Sequence, residues 1–180
     1  MSARTARLVR PSLAYRDGYI AAIREHQLDG RYLDRRYVGA DVAQLERDFA
    51  SFVRDLLERE QPSLWLGRVA ETFYWFVDAD EYVGQASFRD FRPDDPGLRE
   101  VGHIGYDIRP SRQGQGYGTA ILGAMLVEMR PRGVSSVYVN CDEDNPRSRR
   151  VIERWGGTFR ESIVIPGRSV RRRRYRIDIA

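Results

Sequence analysis

Short segments in which apolar and polar residues alternate predict several β-strands along the chain. Near the C-terminus, Tyr175, Ile177 and Ile179 alternate with charged residues, which is the period of a half-buried strand. Two apolar runs joined by an acidic turn at residues 78–81 predict a β-hairpin. The predicted strands are residues 4–10, 72–77, 82–88, 101–108, 134–139 and a final pair that includes the C-terminal segment.

Apolar positions at helical spacing predict two helices in the first sixty residues. Residues 13–27 are helical in character, and a second helix starts near Asp41 and must end before Pro62. The second helix carries its apolar side chains on one face, so the default interpretation is packing against a core. A polar, aromatic loop at residues 28–39 separates the two helices.

A glycine-rich segment, residues 112–119, lies between a predicted strand and a predicted helix. The preceding strand ends at Arg109 and Pro110, because proline removes a backbone donor and restricts its predecessor. The following apolar positions recur at helical spacing until Pro131 and Gly133. A backbone freed of side chains just before a helix can direct several amides at one anion.

Two familiar phosphate-binding loops do not fit this segment. A Walker A loop needs a lysine after its last glycine, and the sequence contains only arginine as a basic residue besides two histidines. A dinucleotide-binding loop needs a third glycine three residues after Gly116, where the sequence has Thr119. A surface loop without a ligand is the alternative that the segment alone leaves open.

A second strand-loop-helix unit follows the first. Residues 134–139 form a predicted strand, and Asn145 and Pro146 are a suitable N-cap and first residue for a helix. Its apolar stripe ends at Gly156 and Gly157, which are typical of a helix C-terminus.

Together, the two units resemble the GCN5-related N-acetyltransferase (GNAT) superfamily, including a bacterial branch of it. Gln113, Gly116 and Gly118 match its Q/R-x-x-G-x-G/A motif, and residues 145–156 match N-x-x-S-x-x-V-x-E-x-x-G. The resemblance covers essentially the whole chain. It implies one domain, residues 1–180, with an α/β (α+β) fold: a mixed, mostly antiparallel sheet of six to seven strands and about four flanking helices. The fourth and fifth predicted strands, residues 101–108 (β4) and 134–139 (β5), would form a splayed parallel pair.

The resemblance also implies acetyl-coenzyme A as cosubstrate, without a metal. The glycine-loop amides would hold its pyrophosphate, and a β4 amide would stabilise the negative charge that develops on the thioester oxygen. The cofactor-binding residues implied in this way are Ile108, Gln113, Gly114, Gln115, Gly116, Tyr117, Gly118, Thr119, Asn145 and Ser148. The implied reaction is direct attack by a primary amine of a small molecule or peptide on the thioester.

The proton carriers are less clearly indicated. Many relatives carry a tyrosine seven residues after the asparagine to protonate the departing thiolate, and this chain has Ile152 there. Candidate substitutes are Cys141, Tyr138 and Tyr175. For the general base, His103 and Glu100 are the candidates because they lie on or beside β4, and Asp107 and Asp142 are further alternatives. An acetyl-CoA-binding protein with altered catalysis is therefore the second hypothesis.

Composition agrees with one enzyme domain and sets few further limits. The 180 residues are 42% hydrophobic, contain no apolar run long enough for a membrane span, and begin without a secretion signal, so a cytoplasmic protein is expected. One cysteine and two histidines do not suggest a disulfide or a zinc site. The net charge of +4 allows a basic module for nucleic acid or an acidic partner. The alternating pattern instead favours a solvated strand face for residues 171–174, and a homodimer remains open.

Overall fold

A seven-stranded mixed sheet forms the centre of the molecule. The computed structural model describes residues 5–30, 38–61, 69–92 and 95–179. The strand order is β1-β2-β3-β4-β5-β7-β6, and all neighbouring strands are antiparallel except β4 and β5. The strands are β1 Arg7–Val9, β2 Glu71–Asp78, β3 Glu81–Arg89, β4 Ile104–Ile108, β5 Ser136–Asp142, β6 Thr158–Ile163 and β7 Arg172–Asp178. This confirms the predicted sheet and its parallel pair.

Six α-helices occur within these described ranges: α1 Arg16–Asp29, α2 Val42–Arg47, α3 Phe49–Glu58, α4 Pro96–Val101, α5 Tyr117–Met129 and α6 Pro146–Arg154. Most of the predicted loop at 28–39 lies outside the described residues, as does the proposed helix limit at Pro62. The single helix predicted after Asp41 is wrong in one respect, because it is interrupted at Asp48. The Asp48 side chain accepts a hydrogen bond from Ser51 N–H and starts a new helix there.

Helix α4 was not predicted, and it shortens the strand expected at residues 101–108. The Asp95 carboxylate accepts from Gly97 N–H, and Pro96 is the first helical residue. Gly102 then reverses the backbone with a φ of 74° before β4 begins at Ile104. The strand therefore starts three residues later than the sequence indicates.

Each face of the sheet is covered by a different set of helices. On one face, α5 contributes Ile121, Leu122, Met125 and Met129, all fully buried, to a core with β3, β4, β5 and β7. On the other face, α1, α2 and α3 pack around Trp75 in an aromatic cluster that includes Tyr19. Strands β4 and β5 lie in the middle of the sheet between these two helical layers, and residues of both strands line a cavity.

The arginine run at residues 171–174 belongs largely to β7 and makes intramolecular contacts. Arg172 Nε lies 3.1 Å from Asp142 Oδ1, and Arg174 Nη1 lies 3.1 Å from Glu161 Oε1. The Arg173 guanidinium stacks 4.3 Å from the centre of the Phe159 ring. These pairings favour the strand interpretation over a nucleic-acid surface. Within the described ranges, no helix is both long and apolar enough to cross a membrane.

Candidate active site

Strands β4 and β5 diverge and open a gap in the sheet. Their parallel pairing has one register position, Ile104 opposite Val139. Beyond it, β4 continues to Ile108 while remaining paired with β3 on its other side. Such a gap exposes backbone groups that a regular sheet would use in its ladder.

Backbone amides of β4 point into this gap. Arg109 N–H donates to Val83 O at 3.1 Å and Arg89 N–H donates to His103 O at 2.8 Å, which fixes the alternation of the β3/β4 ladder. In that alternation the Ile108 N–H faces away from β3, towards β5. In the structure, the Ile108 N–H donates to Oδ1 of Asp107 at 3.0 Å.

The N-terminus of α5 supplies further amides beside the gap. Gly116 caps the helix with a φ of 86°, in the left-handed region that glycine adopts most easily. The first bond inside the helix runs from Ala120 N–H to Gly116 O at 3.1 Å. The amides of the turn before it have no partner within the helix, and the helix dipole adds positive potential there.

The N-terminus of α6 faces the same gap from the β5 side. Asn145 caps α6 by accepting from Ser148 N–H at 3.0 Å. The Ser148 hydroxyl is 2.9 Å from the hydroxyl of Tyr106 on β4, so a hydrogen bond spans the gap. Arg147 Nη1 also donates to Gln113 Oε1 at 3.3 Å, which ties α6 to the glycine loop.

A cavity of about 990 Å³ runs through the gap from the glycine loop to α3. Most residues that the resemblance implied for the cofactor line it: Ile108, Gln113, Gly114, Gly116, Gly118, Thr119, Asn145 and Ser148. The side chains of Gln115 and Tyr117 point elsewhere. Gln115 Nε2 donates to Ser111 O at 3.1 Å, and the Tyr117 hydroxyl donates to Asp78 at 2.6 Å.

Charge is divided between the two halves of the cavity. The half beside the glycine loop, which we call the loop half, contains Arg147, Arg150 and Arg154 of α6. The half beneath α2 and α3, which we call the helix half, is lined by Asp41, Asp48, Asp55 and, on the sheet, Asp107. An anion is therefore favoured in the loop half and a cation in the helix half.

Two arginines that share Glu71 as a partner, Arg59 and Arg89, interrupt the acidic character of the helix half. Arg89 Nη2 lies 2.9 Å from Glu71 Oε1, and both side chains are largely buried. A β-carbon on Gly105 would lie 3.3 Å from the same arginine nitrogen. Glycine at this position thus lets the guanidinium lie over β4 at the cavity wall.

His103 and Glu100 are not among the described residues that line the cavity. His103 Nδ1 accepts from Tyr138 N–H at 3.0 Å, and its ring stacks between Phe88 and Tyr138. Burial lowers the pKa of His103, so it is a neutral packing residue. Glu100 is exposed on α4, and Asn140 Nδ2 donates to its backbone carbonyl at 3.0 Å. The expected β4 position was wrong for Glu100 because α4 precedes the strand.

Cys141 does line the cavity, at the end of β5, and is buried. Burial, together with the neighbouring Asp142 carboxylate, raises the pKa of its thiol to about 11. The thiol is therefore protonated at neutral pH. Of the two tyrosines considered as its alternatives, Tyr138 stacks with Arg174 at 3.7 Å and Tyr175 receives a hydrogen bond from Arg173 at 2.9 Å.

No sequence pattern indicated a role for His26, and Asp107 was only one of the further alternatives for the general base. His26 Nε2 on α1 lies 3.1 Å from Asp107 Oδ2 across the sheet. The contact joins residues 81 positions apart, and no local pattern reports such a pairing. By contrast, Arg147 and Arg150 follow the α6 N-cap directly, and a basic first turn beside a glycine loop was a signal available in the sequence.

Several solved structures of acetyltransferases have a fold similar to that of this chain. The Microcin C7 self immunity acetyltransferase MccE, solved with acetyl-CoA and AMP, superposes with a TM-score of 0.71 at 18% identity, over 97% of this chain and 92% of that one. The ribosomal L7/L12 alpha-N-protein acetyltransferase RimL, in complex with coenzyme A, gives 0.66 at 18% identity, with coverage of 99% and 96%. YncA from Salmonella typhimurium, a putative acetyltransferase solved with acetyl-CoA, gives 0.62 at 20% identity, with coverage of 99% and 95%.

At these identities, the superpositions show a shared fold. No curated protein matches the sequence significantly. A family model described as the acetyltransferase (GNAT) domain matches residues 13–158, which include the glycine loop and both helix N-termini at the gap. With most of its length matched in this way, the chain belongs to the GNAT acetyltransferase family.

Proposed function

We propose that the chain is an acetyl-CoA-dependent N-acetyltransferase that moves the acetyl group to a primary amine by direct attack in a ternary complex. The observation that carries this proposal is the single cavity with opposite charge in its two halves. Coenzyme A is a polyanion, and an amine acceptor is a cation until it loses its proton. Each therefore matches the half that its charge favours.

The loop half would hold the cofactor. The amides at the start of α5, around Gly116 and Gly118, would donate to the pyrophosphate, and the arginines of α6 would add charge-assisted contacts. The gap between β4 and β5 would admit the pantetheine arm. Its end would place the thioester oxygen near the Ile108 amide, which points into the gap.

Cys141 would serve the departing sulfur in place of the missing tyrosine. Its thiol stays protonated because its pKa is raised to about 11, so it can donate a hydrogen bond to a thiolate. Ile152, at the tyrosine position of the family motif, is fully buried and has no polar group to offer. A thiolate of low pKa can also leave without complete protonation.

Isothermal titration with acetyl-CoA tests the cofactor part of this proposal. Thiol release with spermidine, tyramine and a peptide with an N-terminal serine tests the transfer. Saturable binding and thiol release with at least one amine are expected. No heat of binding at millimolar acetyl-CoA would refute the function.

Ile152 supports a second candidate, an acetyl-CoA-binding protein that does not transfer the acetyl group. For such a protein, the same experiment would show saturable binding of acetyl-CoA, while thiol release would stay at the buffer rate with every amine. Binding of a short DNA duplex with steep salt dependence would instead support the basic module.

A further inference from the structure

Asp107 lines the helix half of the cavity, next to Ile108 on β4. Its carboxylate projects from β4, and Gln85, its register partner on β3, lines the same cavity. One carboxylate oxygen, Oδ2, lies 3.1 Å from Nε2 of His26. The His26 side chain is 7% exposed and the Asp107 side chain is 16% exposed, so the pair is largely buried, and of the two residues Asp107 lines the cavity.

The other carboxylate oxygen, Oδ1, contacts the amide that would bind the thioester oxygen in the proposed reaction. Asp107 Oδ1 accepts from Ile108 N–H at 3.0 Å, the amide that points into the β4/β5 gap. A thioester oxygen bound at that amide would share its donor with Asp107. A group that shares a hydrogen-bond donor with the thioester oxygen lies close to the carbonyl carbon that the amine attacks.

The groups around this pair leave Asp107 as the proton acceptor at this position. From α1, Tyr19 lies within the field of Asp107, and burial, with a contribution from that carboxylate, raises the pKa of Tyr19. Tyr19 therefore keeps its proton. Tyr82 and the neutral Gln85 face the pair from β3. The guanidinium of Arg109, beyond β4, binds Glu25 of α1, Glu81 of β3 and the Tyr82 carbonyl oxygen.

We propose that Asp107 is the general base of the transfer and that His26 is the residue that positions it, an inference that rests on the proposed function. The carboxylate takes one proton from the acceptor ammonium group. The freed nitrogen lone pair forms the new C–N bond at the thioester carbonyl carbon, the C–S bond breaks, and the electron pair leaves with the coenzyme A sulfur. The second proton of the attacking nitrogen goes to that sulfur, which gives the amide and the free thiol of coenzyme A. His26 holds Oδ2, so that Oδ1 stays beside the Ile108 amide.

Asp107→Asn tests the base, with the amines named above as acceptors. An amine with a pKa of ~10 is almost entirely protonated at pH 7, and general bases contribute about 10²- to 10⁴-fold to rate. We expect kcat to fall by about 10²-fold or more at pH 7. The deficit should shrink as pH approaches ~10, where the amine loses its proton without help. The Kd of acetyl-CoA, measured by calorimetry, should change by less than about threefold, because the substitution removes a proton acceptor and leaves the contacts that bind the cofactor in place.

His26 is tested by a pair of substitutions with a matched histidine control. His26→Leu removes the contact to Asp107, and His26→Gln keeps a polar donor of similar reach. We expect His26→Leu to lower kcat at pH 7 with little change in KM, and His26→Gln to restore part of that loss. His103→Gln changes the other histidine, outside the cavity, and should leave the pH dependence of kcat unchanged.

Four outcomes would overturn the proposal. A pH profile of Asp107→Asn parallel to that of the parent would show that Asp107 accepts no proton, and equal rates for His26→Leu and His26→Gln would remove the positioning role. If the parent acetylates none of the amines, the same variants are compared in hydrolysis of acetyl-CoA, in which water must also lose a proton. Equal hydrolysis rates, or no reaction by parent protein that binds acetyl-CoA, would then refute the base. Loss of acetyl-CoA binding itself would refute the proposed function instead.

Discussion

The glycine that caps α5 provides a direct test of the cofactor site. Gly116→Val introduces a β-branched side chain at a φ of 86°, where L-residues are strained by roughly 1–2 kcal/mol. The same substitution at Gly133, with a φ of 72° and open space around its β-carbon, carries comparable strain at a position remote from the cavity. We therefore expect the two variants to lose similar thermal stability, about 2–8 °C in Tm for a chain of this size.

Binding should separate the two variants. At Gly116, the valine would intrude where the backbone approaches the pyrophosphate, and losing one charge-assisted hydrogen bond costs about 1.5–3 kcal/mol. The Kd of acetyl-CoA should then rise about 10- to 100-fold in Gly116→Val and stay unchanged in Gly133→Val. Calorimetry gives both values. Equal affinities in the two variants, with the Tm loss present in both, would show that the glycine loop holds no anion.

Three further predictions concern ionisation and charge. Folding raises the pKa of the Cys141 thiol from 9.0 to about 11, so the thiol ionises at lower pH in the unfolded chain than in the folded protein. The free energy of unfolding, measured by urea titration, should therefore fall as pH rises from 9.0 to about 11. Cys141→Ala should reduce this pH dependence. Burial opposes ionisation of Glu25, but hydrogen bonds from Arg109 and Ser111 outweigh it and lower its pKa from 4.5 to about 2. The stability gained is therefore present above pH 4.5 and lost as pH falls towards 2, and Glu25→Gln should flatten this limb of the stability curve. Arg172→Gln removes one partner of the buried Asp142 and should cost about 1–3 kcal/mol in urea unfolding, without any change in affinity for duplex DNA.

Local signals were sufficient for the cofactor side of the fold. The proline after Arg109, the glycines at 114 and 116 and the Asn145-Pro146 cap each act within a few residues, so the sequence predicted both strand-loop-helix units. The helix that begins at Pro96 was not predicted, although the Asp95 cap is a local signal of the same kind. Such features can be predicted because the residues that cause them lie next to the helix or strand end that they determine.

The catalytic side depended on contacts between distant segments. His103 was a candidate for the general base because it lies in the predicted fourth strand. The turn at Gly102 instead places its ring against Phe88 and Tyr138. A role for His26 could not be predicted, because it is one polar residue on a helix whose other buried residues are mostly apolar. Only the packing of α1 against the sheet brings it to Asp107.

Two consecutive residues of helix α1 contact the segment before the glycine loop and strand β4. Glu25 accepts from Ser111 N–H at 3.0 Å, just before the glycine loop, and His26 contacts Asp107 on β4. Because both contacts come from the same turn of α1, we expect a local opening of this helix to release them together, so that α1 and the loop exchange their amide hydrogens as one unit. Acetyl-CoA bound at the loop would then slow exchange of α1 amides that it never touches. The amine acceptor would meet a more rigid helix after the cofactor has bound than before, which favours an ordered sequence with the cofactor first.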